Sequence, residues 1–297
     1  DLGFCIGPRL NAAGRLDNML IGVELLLADD MLKARELSLD LDQLNQTRKE
    51  IEAGMKLEAL EICQNLTALF KELPSGITLY QPDWHQGVLG IVSSRIKEQY
   101  HRPVIAFAKD GEGVLKGSAR SIEGLHMRDV LERIHLQHPN MILKFGGHAM
   151  AAGLSLREEH FDDFQHIFNQ TVADWLDEEH LQGVIWTDGE LNSNEFNLET
   201  AELIKSAGPW GQAFPEPCFD GEFKILDQRA IGQNQNHLKM LVEPKQGGPL
   251  LDAVAFNIDT RLYPDLSIKQ ARFAYKLDVN EFRGNRNVQL LVEYIEA

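Results

Sequence analysis

Lys144-Phe145-Gly146-Gly147-His148-Ala149-Met150-Ala151-Ala152-Gly153 is the stretch on which the reading of this chain turns. A residue without a Cβ lets the backbone come within hydrogen-bonding range of an anion, and a histidine beside it can donate a hydrogen bond or a proton. Gly146, Gly147 and His148 therefore read as groups for phosphate. The Ala-Met-Ala-Ala-Gly run that follows reads as the start of a helix, its small side chains pressed against a sheet and its free N–H groups facing the same anion. A tight turn before that helix is the other reading of two adjacent glycines.

Outward from this stretch the pattern is α/β. Residues 77–80, 103–108 and 114–119 read as strands, and residues 87–100, 124–136 and 158–176 as helices, which argues for a small sheet with ligand groups at strand ends. Ser118 and Arg120 leave one such end on the same side of the strand, a hydroxyl and a guanidinium suited to phosphate. Trp84-His85-Gln86-Gly87-Val88 caps another strand–helix junction, where Trp84 reads as packing and His85 stands open between packing and binding.

Upstream, Leu37, Leu41, Leu44, Ile51, Met55 and Ile62 recur at helical spacing, with Arg48 and Glu58 interrupting the stripe. They predict one long helix over about residues 40–71, roughly 45 Å at 1.5 Å per residue. A two-helix hairpin with a break near Asp29-Asp30 is the alternative. Before it, Arg9 and Arg15 bracket Leu10-Asn11-Ala12-Ala13-Gly14 and could clamp a phosphate or carboxylate, or pair with Asp17 or Glu24. The chain opens at Asp1 without an initiator Met and in the middle of this motif, so it reads as a fragment.

Downstream, residues 219–227, 237–243, 250–257, 272–281 and 288–295 alternate apolar and polar between turn residues. Short strands at this spacing suggest a small closed barrel of the OB type, which can hold single strands by aromatic stacking over a basic groove. Phe256, Phe273, Tyr275, Arg283 and Arg286 are candidates there, although alternation assigns the three aromatic residues to the core. The expected division is 1–22, a long connecting helix over 23–73, an α/β domain over 74–182 and the barrel over 183–297.

Composition sets limits. The chain has 297 residues, 43% hydrophobic and 25% charged, enough for about two domains of ordinary globular make-up. No apolar run is long enough to cross a bilayer, and a cytoplasmic location is expected. Cys5, Cys63 and Cys218 are far apart and lack metal-site spacing, so they are expected as reduced thiols in or near cores. A formal net charge of −16 argues against indiscriminate nucleic-acid binding. Lys109, Lys116, Arg120, Arg128, Arg133 and Lys144 nonetheless crowd the block around the glycines, and a cleft can be locally positive on an acidic protein.

Taken together, Gly-Pro-Arg-Leu-Asn-Ala-Ala-Gly-Arg at 7–15, Trp-His-Gln-Gly-Val-Leu-Gly-Ile-Val-Ser-Ser-Arg at 84–95, Gly-Ser-Ala-Arg-Ser at 117–121 and Gly-Gly-His-Ala-Met-Ala-Ala-Gly at 146–153 resemble the bacterial RecJ exonucleases of the DHH superfamily. Residues 208–219, 237–240 and 280–284 resemble the OB-like domain of the same enzymes. The resemblance implies a DHHA1-type α/β domain followed by an OB-like barrel, within a processive exonuclease that degrades single-stranded DNA from the 5′ end using Mn2+ or Mg2+. It also implies that the metal ligands lie in a DHH domain, of which residues 1 to about 20 are only the tail. The chain contains no Asp-His-His and no adjacent His-His pair, so no metal ligand is assigned within it.

Carried over by the same resemblance, Ser118 and Arg120, with Arg9 or Arg15, would hold the terminal 5′-phosphate. His148 would face the scissile region as the catalytic candidate, and Asn11, His85, Gly146 and Gly147 would line the substrate. The long helix would join the halves of a cleft that the barrel helps to close. The expected partners are single-stranded DNA and single-stranded-DNA-binding protein, with no membrane and a monomeric chain. The alternatives are another DHH–DHHA1 phosphoesterase acting on oligonucleotides or cyclic dinucleotides, a non-catalytic nucleic-acid-binding module, or a purely structural interaction protein.

Overall fold

The first unit is assembled around one long amphipathic helix. In the computed structural model, which describes residues 2–70, 72–211, 214–232, 235–260, 262–282 and 284–296, the chain divides into two compact units, residues 1–183 and 184–297. Helix α1 (Gly7–Leu16) has Pro in its first turn, where the missing N–H costs nothing. Its Ala12 and Ala13 are fully buried. Helix α2 (Leu20–Leu26) ends before Asp29-Asp30, and the Asp30 carboxylate accepts the Leu32 amide at 3.0 Å to start α3 (Met31–Phe70). Both readings of this region thus hold in part: the break is there, and the helix beyond it has 40 residues, starting earlier than the apolar stripe predicts. The two interruptions of the stripe have partners. Arg48 donates to Glu52 at 3.0 Å, and Glu58 accepts the Trp84 indole N–H at 2.6 Å.

A five-stranded sheet follows, made of β1 (Ile77–Tyr80), β2 (Val104–Lys109), β3 (Val114–Arg120), β4 (Ile142–Gly147) and β5 (Ala151–Arg157), in the order β1-β2-β3-β5-β4. Only β1 and β2 are parallel, joined through α4 (Leu89–Tyr100). One face packs Ile105, Phe107, Leu115, Ala119, Leu154 and Leu156 against α5 (Met127–Gln137) and α6 (Phe161–Trp175). On the other face, Ile77, Leu79, Val104, Ala106 and Ala108 pack with Val88, Leu89, Val92 and Ile96 around α4 and with Met55, Ala59 and Cys63 of α3. That second layer ends near β3, and over β5 and β4 Gly153, Lys144 and Gly146 stay exposed.

The helix start expected after Gly147 is instead strand β5, and the sheet carries two strands that periodicity did not reveal. Gly147 adopts φ +151°, and the chain reverses through His148, whose N–H donates to the Ala151 carbonyl at 2.9 Å. The Ala149 and Met150 carbonyls accept from Met127 and Ser121 at 2.9 and 3.0 Å, which pins the turn. In β5 the core residues Ala152, Leu154 and Leu156 alternate with Ala151, Gly153 and Ser155 on the other face, where Gly153 is exposed and Ser155 buried. The small size of this second set hides the two-residue period.

In the second unit, α7 (Leu198–Ala207) is capped by Asn197, whose side chain accepts the Thr200 amide at 2.8 Å. Strands β6 (Phe219–Ile231), β7 (His237–Pro244), β8 (Leu251–Ala255), β9 (Gln270–Phe282) and β10 (Asn285–Glu296) close a barrel in the order β10-β8-β7-β6-β9. Its one parallel pairing, β8 with β10, closes the OB-type Greek key. Phe273 and Tyr275 are fully buried as alternation predicts. Phe256 is not: it lies just past β8, 56% exposed, with His237 edge-on at 5.1 Å. Arg283 lies outside the described residues. Of the thiols, Cys63 is buried and Cys218 half-buried, but Cys5 is exposed, contrary to expectation.

Candidate functional site

The registers of β3, β5 and β4 arrange the sequence candidates in rows. Ser118 lies opposite Gly153, which lies opposite Gly146, and Arg120 lies opposite Ala151, to which His148 is bonded in the turn. Residues in one row share a face of the sheet. His148 is exposed and two strands from Arg120, roughly 10 Å backbone to backbone.

Arg120 is half-buried against the start of α4. A Cβ on Gly90 would fall 2.6 Å from its Nη2 and 3.0 Å from Ser118 Oγ, so only glycine leaves room for both groups there. Arg120 Nη1 donates to Ser118 Oγ at 3.3 Å and to the Ala119 carbonyl at 2.8 Å. Buried Ser93 of α4 donates to the Ser118 carbonyl at 2.8 Å, tying helix to strand. Helix α4 begins at Val88 with no side-chain cap, so its first amides keep the partial positive charge of a helix start.

Arg15 completes the group. Its Nη1 donates to the Gly87 carbonyl at 3.0 Å, and a Cβ on Gly87 would lie 2.0 Å from the Arg15 carbonyl oxygen, so α1 rests directly on this junction. Burial, and after it the Arg15 charge, holds the Arg120 guanidinium below its ordinary value, and no carboxylate acts against either effect. Two guanidiniums, a hydroxyl and an uncapped helix start therefore form a cationic recess that an anion would relieve.

The other candidates take different parts. Arg9 forms an ion pair with Asp42 at 2.7 Å and donates to the Cys5 carbonyl at 2.7 Å, so of the two arginines left open by the sequence it is Arg15 that joins Arg120. Asn11 is exposed on α1. His85 Nδ1 accepts the Gly87 amide at 3.1 Å, giving it a structural task at the same junction. Gly147 is demanded by its backbone, since a Cβ there would lie 2.4 Å from the Ala151 carbonyl oxygen, whereas a Cβ on Gly146 would meet nothing within 4 Å. The group that sequence reasoning missed is the start of α4, and Gly87 and Gly90, three residues apart, were its signal.

Among the described residues no three His, Cys, Asp or Glu side chains come together to hold a metal ion, and no helix is long and apolar enough to cross a membrane. Asp40 and Asp42, two aspartates at the Asp-x-Asp spacing, lie on α3, where Asp42 is held by Arg9. The donors around Arg120 are guanidiniums, a hydroxyl and amides, which suit an anion and not a metal ion.

Comparison with known proteins agrees with this architecture. Residues 68–174 match the DHHA1 domain and residues 187–294 the RecJ OB domain. The chain is 90% identical over 296 residues to the single-stranded-DNA-specific exonuclease RecJ of Haemophilus influenzae, covering 100% of this chain and 52% of that protein. It is 59% identical to the Escherichia coli RecJ, over 99% of this chain and 51% of that one. The crystal structure of Thermus thermophilus RecJ in complex with Mn2+ superposes over 100% of this chain and 41% of its own, with a TM-score of 0.77 at 26% identity. A second structure of that RecJ is in complex with Mg2+. The chain spans about half the length of the curated relatives it matches. With a DHHA1 domain, a RecJ OB domain and this likeness along its whole length, the chain belongs to the RecJ family.

Proposed function

We propose that this chain is the end-reading part of a metal-dependent exonuclease that degrades single-stranded DNA from the 5′ end. The observation that carries the reading is the recess where Arg15, Ser118 and Arg120 meet the uncapped start of α4 without a neutralising carboxylate. A terminal phosphate carries more charge and more free oxygens than an internal one, so this donor set selects an end over an interior. His148, across the sheet from Arg120, is within reach of the strand beyond that phosphate, and Gly146 and Gly147 leave room for it. The relatives matched are named as single-stranded-DNA-specific exonucleases, and the solved family members are complexes with Mn2+ or Mg2+. In this reading the metal is held outside the present 297 residues, by the DHH part of the longer protein, which acts as a monomer in the cytoplasm. Single-stranded-DNA-binding protein is the protein partner to examine.

The test is fluorescence anisotropy of the 297-residue chain with a labelled oligodeoxythymidine bearing a 5′-phosphate or a 5′-hydroxyl. The phosphorylated strand should bind at least tenfold more tightly, and Arg120→Ala should abolish the difference. Equal binding of the two strands would refute the reading.

A further inference from the structure

The row of the sheet beyond Ser118 carries a second cationic group that the end-reading recess does not use. Lys116 lies opposite Ser155, which lies opposite Lys144, so the two lysines stand on the same open face as Arg120 and Ser118, one on each side of β5. Both are exposed, and neither is in an ion pair. Lys109, on the neighbouring strand, is by contrast held by Glu158 at 3.4 Å. From Arg120 to Lys116 is four residues along β3, about 13 Å, and from Lys116 to Lys144 two strand spacings, about 10 Å.

Between the lysines and the arginine lies a floor without side chains. Gly153 and Gly146 lie opposite each other in the row of Ser118. Folding does not require either to be glycine: a Cβ on Gly146 would meet nothing within 4 Å, one on Gly153 would come no closer than 3.9 Å to any atom, and neither has a positive φ. Glycine inside a strand weakens it, whereas a β-branched residue would strengthen it. Two glycines that the fold does not need, at the centre of an exposed face and bounded by unpaired cations on two sides, form a trough for something laid flat on the sheet.

We infer that Lys116 and Lys144 form a second phosphate subsite, and that the glycine floor of Gly153 and Gly146 carries the sugar and base between it and the Arg120 recess. The inference rests on the proposed end-reading function and deepens it. A mononucleotide reaches only the recess, whereas a short 5′-phosphorylated oligonucleotide spans to the lysine row. The chain therefore measures a strand as well as its end, and affinity grows with the first few nucleotides.

The probes are thymidine 5′-monophosphate, the 5′-phosphorylated thymidine trinucleotide and the same trinucleotide with a 5′-hydroxyl. Each is titrated calorimetrically into the 297-residue chain at several salt concentrations. Lys116→Gln with Lys144→Gln should weaken the phosphorylated trinucleotide about tenfold and leave the mononucleotide unchanged, and should flatten the salt dependence by about 0.7 per lysine. Lys→Arg at both positions should restore binding. Gly153→Thr should fold with an unchanged or raised unfolding temperature, keep the mononucleotide and lose the trinucleotide. If Arg120→Ala removes the preference for the 5′-phosphate while the lysine and glycine variants bind the trinucleotide like the parent chain, the lysine subsite is wrong and the end-reading function stands. If the lysine variants weaken both trinucleotides and no 5′-phosphate preference exists, the end-reading function is wrong and the lysine row still binds backbone. Failure of the trinucleotide to bind overturns both.

Discussion

On the sheet of the first unit, Lys116, Lys144 and Arg120 stand without a carboxylate partner. On the barrel, Lys224, Lys239, Lys276 and Arg286 lie 2.8 to 3.3 Å from Glu243, Asp252, Glu216 and Glu202, and Lys245 and Arg272 are held by Glu222 and Asp220. Of the barrel unit's other described cations, Lys205, Arg229 and Lys269 remain outside any ion pair. Exposed pairs of this kind add little to stability, roughly 0–1 kcal/mol each. Their consequence here is for binding: a phosphate must displace a carboxylate before it gains the cation. A net charge of −16 is therefore compatible with anion binding, because the acids are spent where binding is not needed. On the proposed reading the difference assigns salt-dependent affinity to the α/β unit. It leaves the barrel contacts that depend less on charge, such as the exposed Phe256 beside His237.

The contrast can be broken most sharply at Arg120. Replacing it by Gln removes a charge-assisted contact, and the affinity for a 5′-phosphorylated strand should fall by about 1.5–3 kcal/mol, ten- to a hundredfold or more, in a binding titration. Next is Gly87→Ala. Its Cβ would lie 2.0 Å from the Arg15 carbonyl oxygen, so α1 must shift from the junction, at about 1–3 kcal/mol in thermal unfolding and with a parallel loss of phosphate preference. A negligible unfolding cost with binding intact would show that α1 does not shape the recess. Trp84→Phe removes the donor to Glu58, whose exposed carboxylate water can then solvate, so it should cost only about 0.5–1.5 kcal/mol in denaturant unfolding and little in binding. The smallest effect is expected on the barrel: Lys239→Gln breaks the pair with Asp252 and should change strand affinity less than twofold, with the salt dependence unaltered. A slope that falls by about 0.7 instead would put the barrel's cations in contact with phosphate and erase the contrast.

Thiol reactivity adds an independent check on the first unit. Burial pushes the Cys63 thiol up to about 12, so at neutral pH it stays protonated and should resist alkylation until the chain unfolds, while exposed Cys5 reacts at once.

What the sequence showed of this molecule follows from where its periods are visible. Most barrel strands were legible because they have large inward residues, as in Leu238, Met240 and Val242 of β7 alternating with His237, Lys239, Leu241 and Glu243. The long helix was legible for the same reason, although Arg48 and Glu58 looked like defects until their partners Glu52 and Trp84 came into place. Strand β5 was not legible, because Ala151, Gly153 and Ser155, on the face away from the core, are too small to mark a period, and at Gly153 that smallness leaves the face open. Of the candidate site, Ser118 and Arg120 could be paired from spacing alone. The choice of Arg15 over Arg9 could not, since it depends on Asp42, which is 33 residues from Arg9, and on Gly87, 72 residues from Arg15.

The most direct measurement is backbone amide chemical-shift mapping of the chain titrated with thymidine 5′-monophosphate. Shifts should concentrate at Leu89 and Gly90 at the start of α4 and at Ser118, Ala119 and Arg120 at the end of β3, and they should vanish in Arg120→Gln. Shifts centred on the barrel, with these amides unmoved, would contradict the assignment of 5′-phosphate recognition to the α/β unit.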